Sequence, residues 1–218
     1  MPDIRETYEF IWQARYYSTP NGRLHYVDQG EGPALLFLHG NPTWSFMYRR
    51  FIAALSNHHR CVAPDYLGFG LSDNPDTFSY RPEDHAGIIT QFIDDIIADS
   101  FTLIVHDWGG PIGLSYALEH PEKIDKIIIF NSWMWSLVSV PRFKLLSALH
   151  SGWLGQFLTR RLNLFVNYIM PAGFARYDRI APDIRSAYHQ PFQDPQSRKG
   201  VRVFPVALTA SDGWLRSL

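Results

Sequence analysis

The chain has 218 residues, enough for one domain or one domain with an insertion, and 46% of them are hydrophobic, which suffices for a substantial core. Twenty Lys/Arg against 21 Asp/Glu leave a formal net charge of −1, so the overall balance gives no reason to expect nucleic acid as a partner. Charge is nevertheless uneven: residues 1–140 hold 9 Lys/Arg and 17 Asp/Glu, whereas residues 141–218 hold 11 and 4. Two solvated surfaces of opposite sign would account for this. The sharper alternative is a basic lid over a site that handles an anion.

The opening segment Met1-Pro2-Asp3-Ile4-Arg5-Glu6 is polar and lacks the apolar stretch of a signal peptide. No run reaches the about 18 apolar residues that suggest a membrane span, and a soluble cytoplasmic protein is expected. Trp12 to Thr19 and Arg23 to Gln29 read as strands joined by a turn at Pro20-Asn21-Gly22. Gly30-Glu31-Gly32-Pro33 is a second turn, and Ala34-Leu35-Leu36-Phe37-Leu38 is a continuous apolar run, the pattern of a strand buried on both faces. A helix is expected from about Trp44 to Leu55, then a short strand, Arg60 to Pro64. Cys61, the one cysteine, has no partner for an intramolecular disulfide and reads as a buried small hydrophobe.

Tyr80 to Ala98 carries a helical period through Ile88, Phe92, Asp95 and Ile96, with Pro82 suited to a first turn. Phe101 to Val105 is another buried strand, Gly109 to Glu119 a helix rich in small residues, and Ile127 to Phe130 a further strand. Strands alternating with helices indicate an α/β protein with a mostly parallel, doubly wound sheet. After Asn131 the pattern changes to helical stretches punctuated by Pro141, Pro171, Pro182, Pro191 and Pro195. The expected division is a core over 1–132, a helical cap over 133–200 and a return toward the core over 201–218.

The chemistry is concentrated at Val105-His106-Asp107-Trp108-Gly109-Gly110, where a buried strand turns sharply into a helix with an acid at the tip. Small residues behind such a tip permit a strained backbone that lifts the side chain above the sheet. A carboxylate there is a nucleophile without a base to activate it, because a carboxyl group is ordinarily ionised at pH 7. The plain alternative is that Asp107 caps the following helix.

His39-Gly40-Asn41-Pro42-Thr43-Trp44-Ser45, Asp65-Tyr66-Leu67-Gly68-Phe69-Gly70-Leu71-Ser72, His106 to Gly110, and Tyr188-His189-Gln190-Pro191-Phe192 together resemble the haloalkane dehalogenase family of α/β-hydrolases. The resemblance implies an α/β-hydrolase fold with the helical cap inserted after the strand ending near Asn131. It implies Asp107 as the nucleophile that forms an alkyl ester, with Asn41 and Trp108 binding halide and oxyanion through side-chain and backbone N–H groups. The substrate class implied is small apolar haloalkanes, with water as co-substrate and halide as product; no metal or cofactor is implied. His39 reads as a structural group of its loop. His106, one residue before Asp107 on the strand, is expected to face the other way. Trp133, Trp135, Phe143, Trp153, Phe157, Phe165 and Phe174 are available to line an apolar pocket or simply to fill the cap.

In this family the acid and the histidine follow the nucleophile in that order. No histidine follows His189, and Phe130-Asn131-Ser132-Trp133 contains no acid. The last strands and helix of the fold, and the catalytic histidine and acid with them, are expected to lie beyond Leu218. An epoxide hydrolase is the rival enzyme, using lid tyrosines such as Tyr168, Tyr177 or Tyr188; Asn41 argues against it. Trp108 stands where a fluoroacetate-type enzyme would place Arg. The non-enzyme rival is a catalytically dead hydrolase scaffold that binds an apolar ligand or a partner.

Overall fold

The computed structural model describes residues 12–218, and the polar opening segment Met1 to Glu6 lies outside them. In chain order come β1 (Arg15–Thr19), β2 (Gly22–Gln29), β3 (Ala34–Leu38), α1 (Arg49–Leu55), β4 (Arg60–Pro64), α2 (Pro82–Ile96), β5 (Phe101–Asp107), α3 (Gly109–Glu119) and β6 (Ile124–Ser132). Helices then dominate: α4 (Pro141–Ser151), α5 (Trp153–Leu162), the short α6 (Met170–Ala172), α7 (Pro182–His189), α8 (Lys199–Ala210) and α9 (Asp212–Ser217).

The six strands form one sheet in the order β1-β2-β4-β3-β5-β6. The β1–β2 and β2–β4 pairs are antiparallel, and β4–β3, β3–β5 and β5–β6 are parallel. Central β3 is buried at every position, as its unbroken apolar sequence requires. Cys61 is fully buried in β4, and burial pushes its thiol up to about 11. Helix α2 begins with Pro82 and carries Glu83 and Asp84 in its first turn, where the helix dipole favours acids. It turns Ile88, Ile89, Phe92 and Ile93 into the core, while Asp95 accepts a hydrogen bond from Tyr17 Oη at 2.6 Å.

Several boundaries differ from the expectation. The stretch before α1 is a 3-10 turn, Ser45–Tyr48, whose first amide donates at 2.7 Å to buried Asp65. Strand β1 begins at Arg15 rather than Trp12, and β6 extends over nine residues. Its apolar stretch is open to solvent, Ile127 to Phe130 each being at least 39% exposed, and β5 is its sole strand neighbour among the described residues. The segment 201–218 is helical, and α8 packs on α4 and α5. From α8, Phe204 reaches the core rings of Tyr66, Phe69, His85 and Trp108.

Candidate active site

Asp107 ends β5 with φ +52°, in the left-handed region that L-residues avoid. Three neighbours make the turn possible by lacking a side chain. A Cβ on Gly109 would overlap the Leu38 carbonyl, one on Gly110 would overlap Ser132 Oγ, and one on Gly40 would overlap the Asp107 side chain itself. Ser132 Oγ, at the end of β6, donates to the Asp107 carbonyl at 2.5 Å and ties the elbow to the next strand. Nothing in the local sequence marked Ser132 for that part.

The Asp107 carboxyl is buried, which pushes its pKa above the ordinary value. The opposing influences are the backbone N–H groups of Asn41 and Trp108, followed by the nearby His106. Asn41 N–H donates to Asp107 Oδ1 at 2.8 Å. Two loops that leave neighbouring strands thus meet on one carboxylate. The Asn41 side chain donates through Nδ2 to the Val201 carbonyl of α8 at 3.4 Å, and its buried Oδ1 has no partner among the described residues.

His39 is fully buried with both ring nitrogens engaged: Nδ1 lies 3.0 Å from the Gly40 carbonyl, and Nε2 accepts from Tyr66 N–H at 3.1 Å. This fixes the neutral tautomer with the proton on Nδ1, and burial lowers the pKa to about 4. The structural reading of His39 therefore holds. His106 departs from the expectation. The pairing of β5 with β6 shifts register between His106 and Asp107, so simple strand alternation does not carry across that step. His106 joins Asp107 in lining the same cavity, with its Nδ1 buried and without a partner among the described residues. Burial lowers its pKa, and the Asp107 carboxylate opposes that shift.

That cavity, of about 480 Å³, lies at the mouth of the elbow. Asn41, Met47, His106, Asp107 and Asn131 line one side, and Ile169, Met170, Phe174 and Tyr188, from the helical stretch after β6, the other. A five-residue π turn, Phe165–Ile169, runs directly into α6 and presents Ile169 and Met170. Tyr188 Oη accepts from Arg49 Nη1 at 3.3 Å, which ties α7 to α1. Of the seven cap aromatics singled out from sequence, Phe174 alone is in the wall. Trp135, Trp153 and Phe157 are exposed, and Phe165 packs in the core. Of the three tyrosines, Tyr188 lines the cavity, Tyr168 is exposed, and Tyr177 Oη pairs with His189 Nε2 at 3.1 Å. Trp108 is not among the lining residues. Its indole is 2% exposed, set edge-on against Trp133 at 5.0 Å and Phe204 at 5.4 Å.

Residues 33–198 match the family described as alpha/beta hydrolase fold. Haloalkane dehalogenase 2 of Mycobacterium tuberculosis is 38% identical over 202 residues, covering 93% of this chain and 70% of that protein. A cis-3-alkyl-4-alkyloxetan-2-one decarboxylase of Shewanella oneidensis is 35% identical over 189 residues, 84% of this chain and 59% of its own. Among solved structures, the haloalkane dehalogenase DatA from Agrobacterium tumefaciens superposes with a TM-score of 0.82 at 27% identity, over 93% of this chain and 72% of that one. With a sheet, an elbow and relatives of this kind, the chain belongs to the haloalkane dehalogenase family of α/β-hydrolases.

Proposed function

We propose that this chain acts on a carbon–halogen bond in a small apolar haloalkane, with Asp107 as the nucleophile. The observation that carries the reading is the Asp107 carboxyl, raised on a left-handed elbow into a cavity whose cap side is Ile169, Met170, Phe174 and Tyr188. One carboxylate oxygen attacks the carbon bearing the halogen, the carbon–halogen bond breaks, and the halide leaves with both bonding electrons. The product is an alkyl ester on Asp107 and a free halide. Asn41 Nδ2, in the cavity wall, is one proposed halide donor. The Trp108 indole N–H, packed behind that wall against Trp133 and Phe204, is the second and has to turn toward the cavity to serve. The backbone N–H groups of Asn41 and Trp108 hold the ester carbonyl as it gains negative charge. Residues 133–200 are proposed as the cap that keeps this cavity apolar, carried on a core of residues 1–132.

Hydrolysis of the ester requires a base to activate water. His39 is excluded because neither ring nitrogen is free to accept a proton. His106 is in the cavity wall, but the anion nearest it is Asp107 itself, which esterification neutralises. A buried imidazolium would then lack a carboxylate to support it. We therefore assign alkylation to the groups described and no ester hydrolysis to His106. The test is incubation with a bromoalkane, followed by intact-mass spectrometry. An alkyl adduct on the parent chain, absent from Asp107→Ala, is expected; an adduct on both would reject the assignment. The oxetan-2-one decarboxylase relative suggests a second substrate class, a strained cyclic ester, and a parallel incubation with such a lactone separates the two.

A further inference from the structure

We propose that the seam between the Asp76 loop and the start of α8 is a binding site for a small tetrahedral oxyanion such as inorganic phosphate or sulfate. The site lies outside the Asp107 cavity and shares no lining residue with it. It is a cavity of about 120 Å³ in which Arg160, Arg198, Lys199 and Arg202 face a single carboxylate, Asp76. A space of that size has room for a small oxyanion.

The charges are not satisfied from within. Lys199 pairs with Asp76 across the seam between α8 and the core loop. Arg160 and Arg202 have no carboxylate within ion-pair distance among the described residues. Arg198 is 8% exposed, and its donors are spent on main-chain carbonyls of Phe192, Arg160 and Gln193. Its charge thus stays in the cavity wall without a bonded anion. The next carboxylate, Asp194, accepts from Gln196 N–H at 2.8 Å as a helix cap. The 3-10 turn Pro195–Arg198 runs directly into α8 (Lys199–Ala210), so Arg198, Lys199 and Arg202 lie along one helical run. A bound oxyanion offsets their unmatched charge, accepting from two guanidinium groups that have planar donor pairs available. It also accounts for part of the surplus of 11 Lys/Arg over 4 Asp/Glu in residues 141–218.

Phosphate should be titrated calorimetrically into the 218-residue chain, with ionic strength held constant by sodium chloride. One saturable site is expected, and Arg160→Ala/Arg202→Ala should weaken it by at least about tenfold. Should the double variant not fold, Arg202→Gln is expected to weaken binding in the same direction. Asp107→Ala should bind phosphate as the parent does, which separates this site from the chemistry proposed at Asp107. A glycerol phosphate arm distinguishes the source: tighter binding than inorganic phosphate assigns the site to a phosphorylated metabolite, and weaker binding to the free ion. Either result supports an oxyanion site. Heats no larger than those of chloride, or a folded double variant or Arg202→Gln with parental affinity, would overturn it.

Discussion

The strained elbow makes a prediction that separates stability from chemistry. Asp107 sits at φ +52°, and an L-residue held there costs roughly 1–2 kcal/mol relative to an unstrained backbone. Replacing Asp107 with Ala or with Gly removes the same carboxylate and the same hydrogen bond from Asn41 N–H, so those losses cancel between the two variants. What remains is the backbone. Glycine relieves the strain but gains about 0.4–1 kcal/mol of unfolded-chain entropy. The balance leaves Asp107→Gly more stable than Asp107→Ala by about 1 kcal/mol. For a chain of this size that corresponds to a Tm about 2–4 °C higher. Urea unfolding of the two variants, with unchanged slope and shifted midpoint, measures the difference directly. Both variants should form no alkyl adduct. If Asp107→Ala proved as stable as Asp107→Gly, the elbow would carry no strain and the argument from its backbone would fail.

Three further outcomes follow from individual residues. Trp108→Phe keeps the ring packing against Trp133 and Phe204 but deletes the indole N–H, so bromide binding measured by calorimetry should weaken by about 1.5–3 kcal/mol; unchanged affinity would remove Trp108 from the halide site. Because burial raises the Asp107 pKa, the rate of adduct formation should fall as pH drops, with its midpoint above the ordinary carboxylate value of about 4. The native state then holds more protons than the unfolded one between the two pKa values, so the Asp107 contribution to stability declines as pH rises through that window. A rate midpoint at or below about 4 contradicts the shift. His85 is 1% exposed among Tyr66, Phe69, Phe78 and Phe204, neither ring nitrogen has a partner among the described residues, and burial holds its pKa near 3. His85→Phe should therefore raise stability by about 1 kcal/mol in urea unfolding; a loss would mean that those nitrogens are satisfied in solution.

The elbow was legible because its cause is local: an apolar strand, one acid and two glycines are adjacent in sequence, and each glycine answers to a specific collision. Asn41 was named from the resemblance carried by His39-Gly40-Asn41-Pro42, and the structure sets it directly after the glycine that makes room for Asp107. The cap wall was not. Whether Phe174 or Trp153 reaches the cavity depends on how the cap helices pack on one another and on the core, and aromatic composition is the same in either case. Ile169 and Met170 enter the wall through a π turn that leaves no distinct residue pattern. The facing of His106 was misread because strand alternation was carried across a register shift that the sequence does not announce. Trp108 follows Asp107 directly, yet its indole is enclosed by Trp133 from the segment after β6 and Phe204 from α8, partners 25 and 96 positions away.

The central claim is that Asp107 is a nucleophile toward saturated carbon, and the stoichiometry of halide release tests it most directly. The 218-residue chain, folded and mixed with excess bromoalkane, should release about one bromide per molecule, as expected when the alkyl group remains on the enzyme. Its intact mass should rise by one alkyl group, and peptide mapping should place that group on Asp107. Sustained release of many bromides per chain would contradict the account, because His106 or another group would then be serving as the base denied here. Release without an adduct on Asp107 would remove the nucleophile itself.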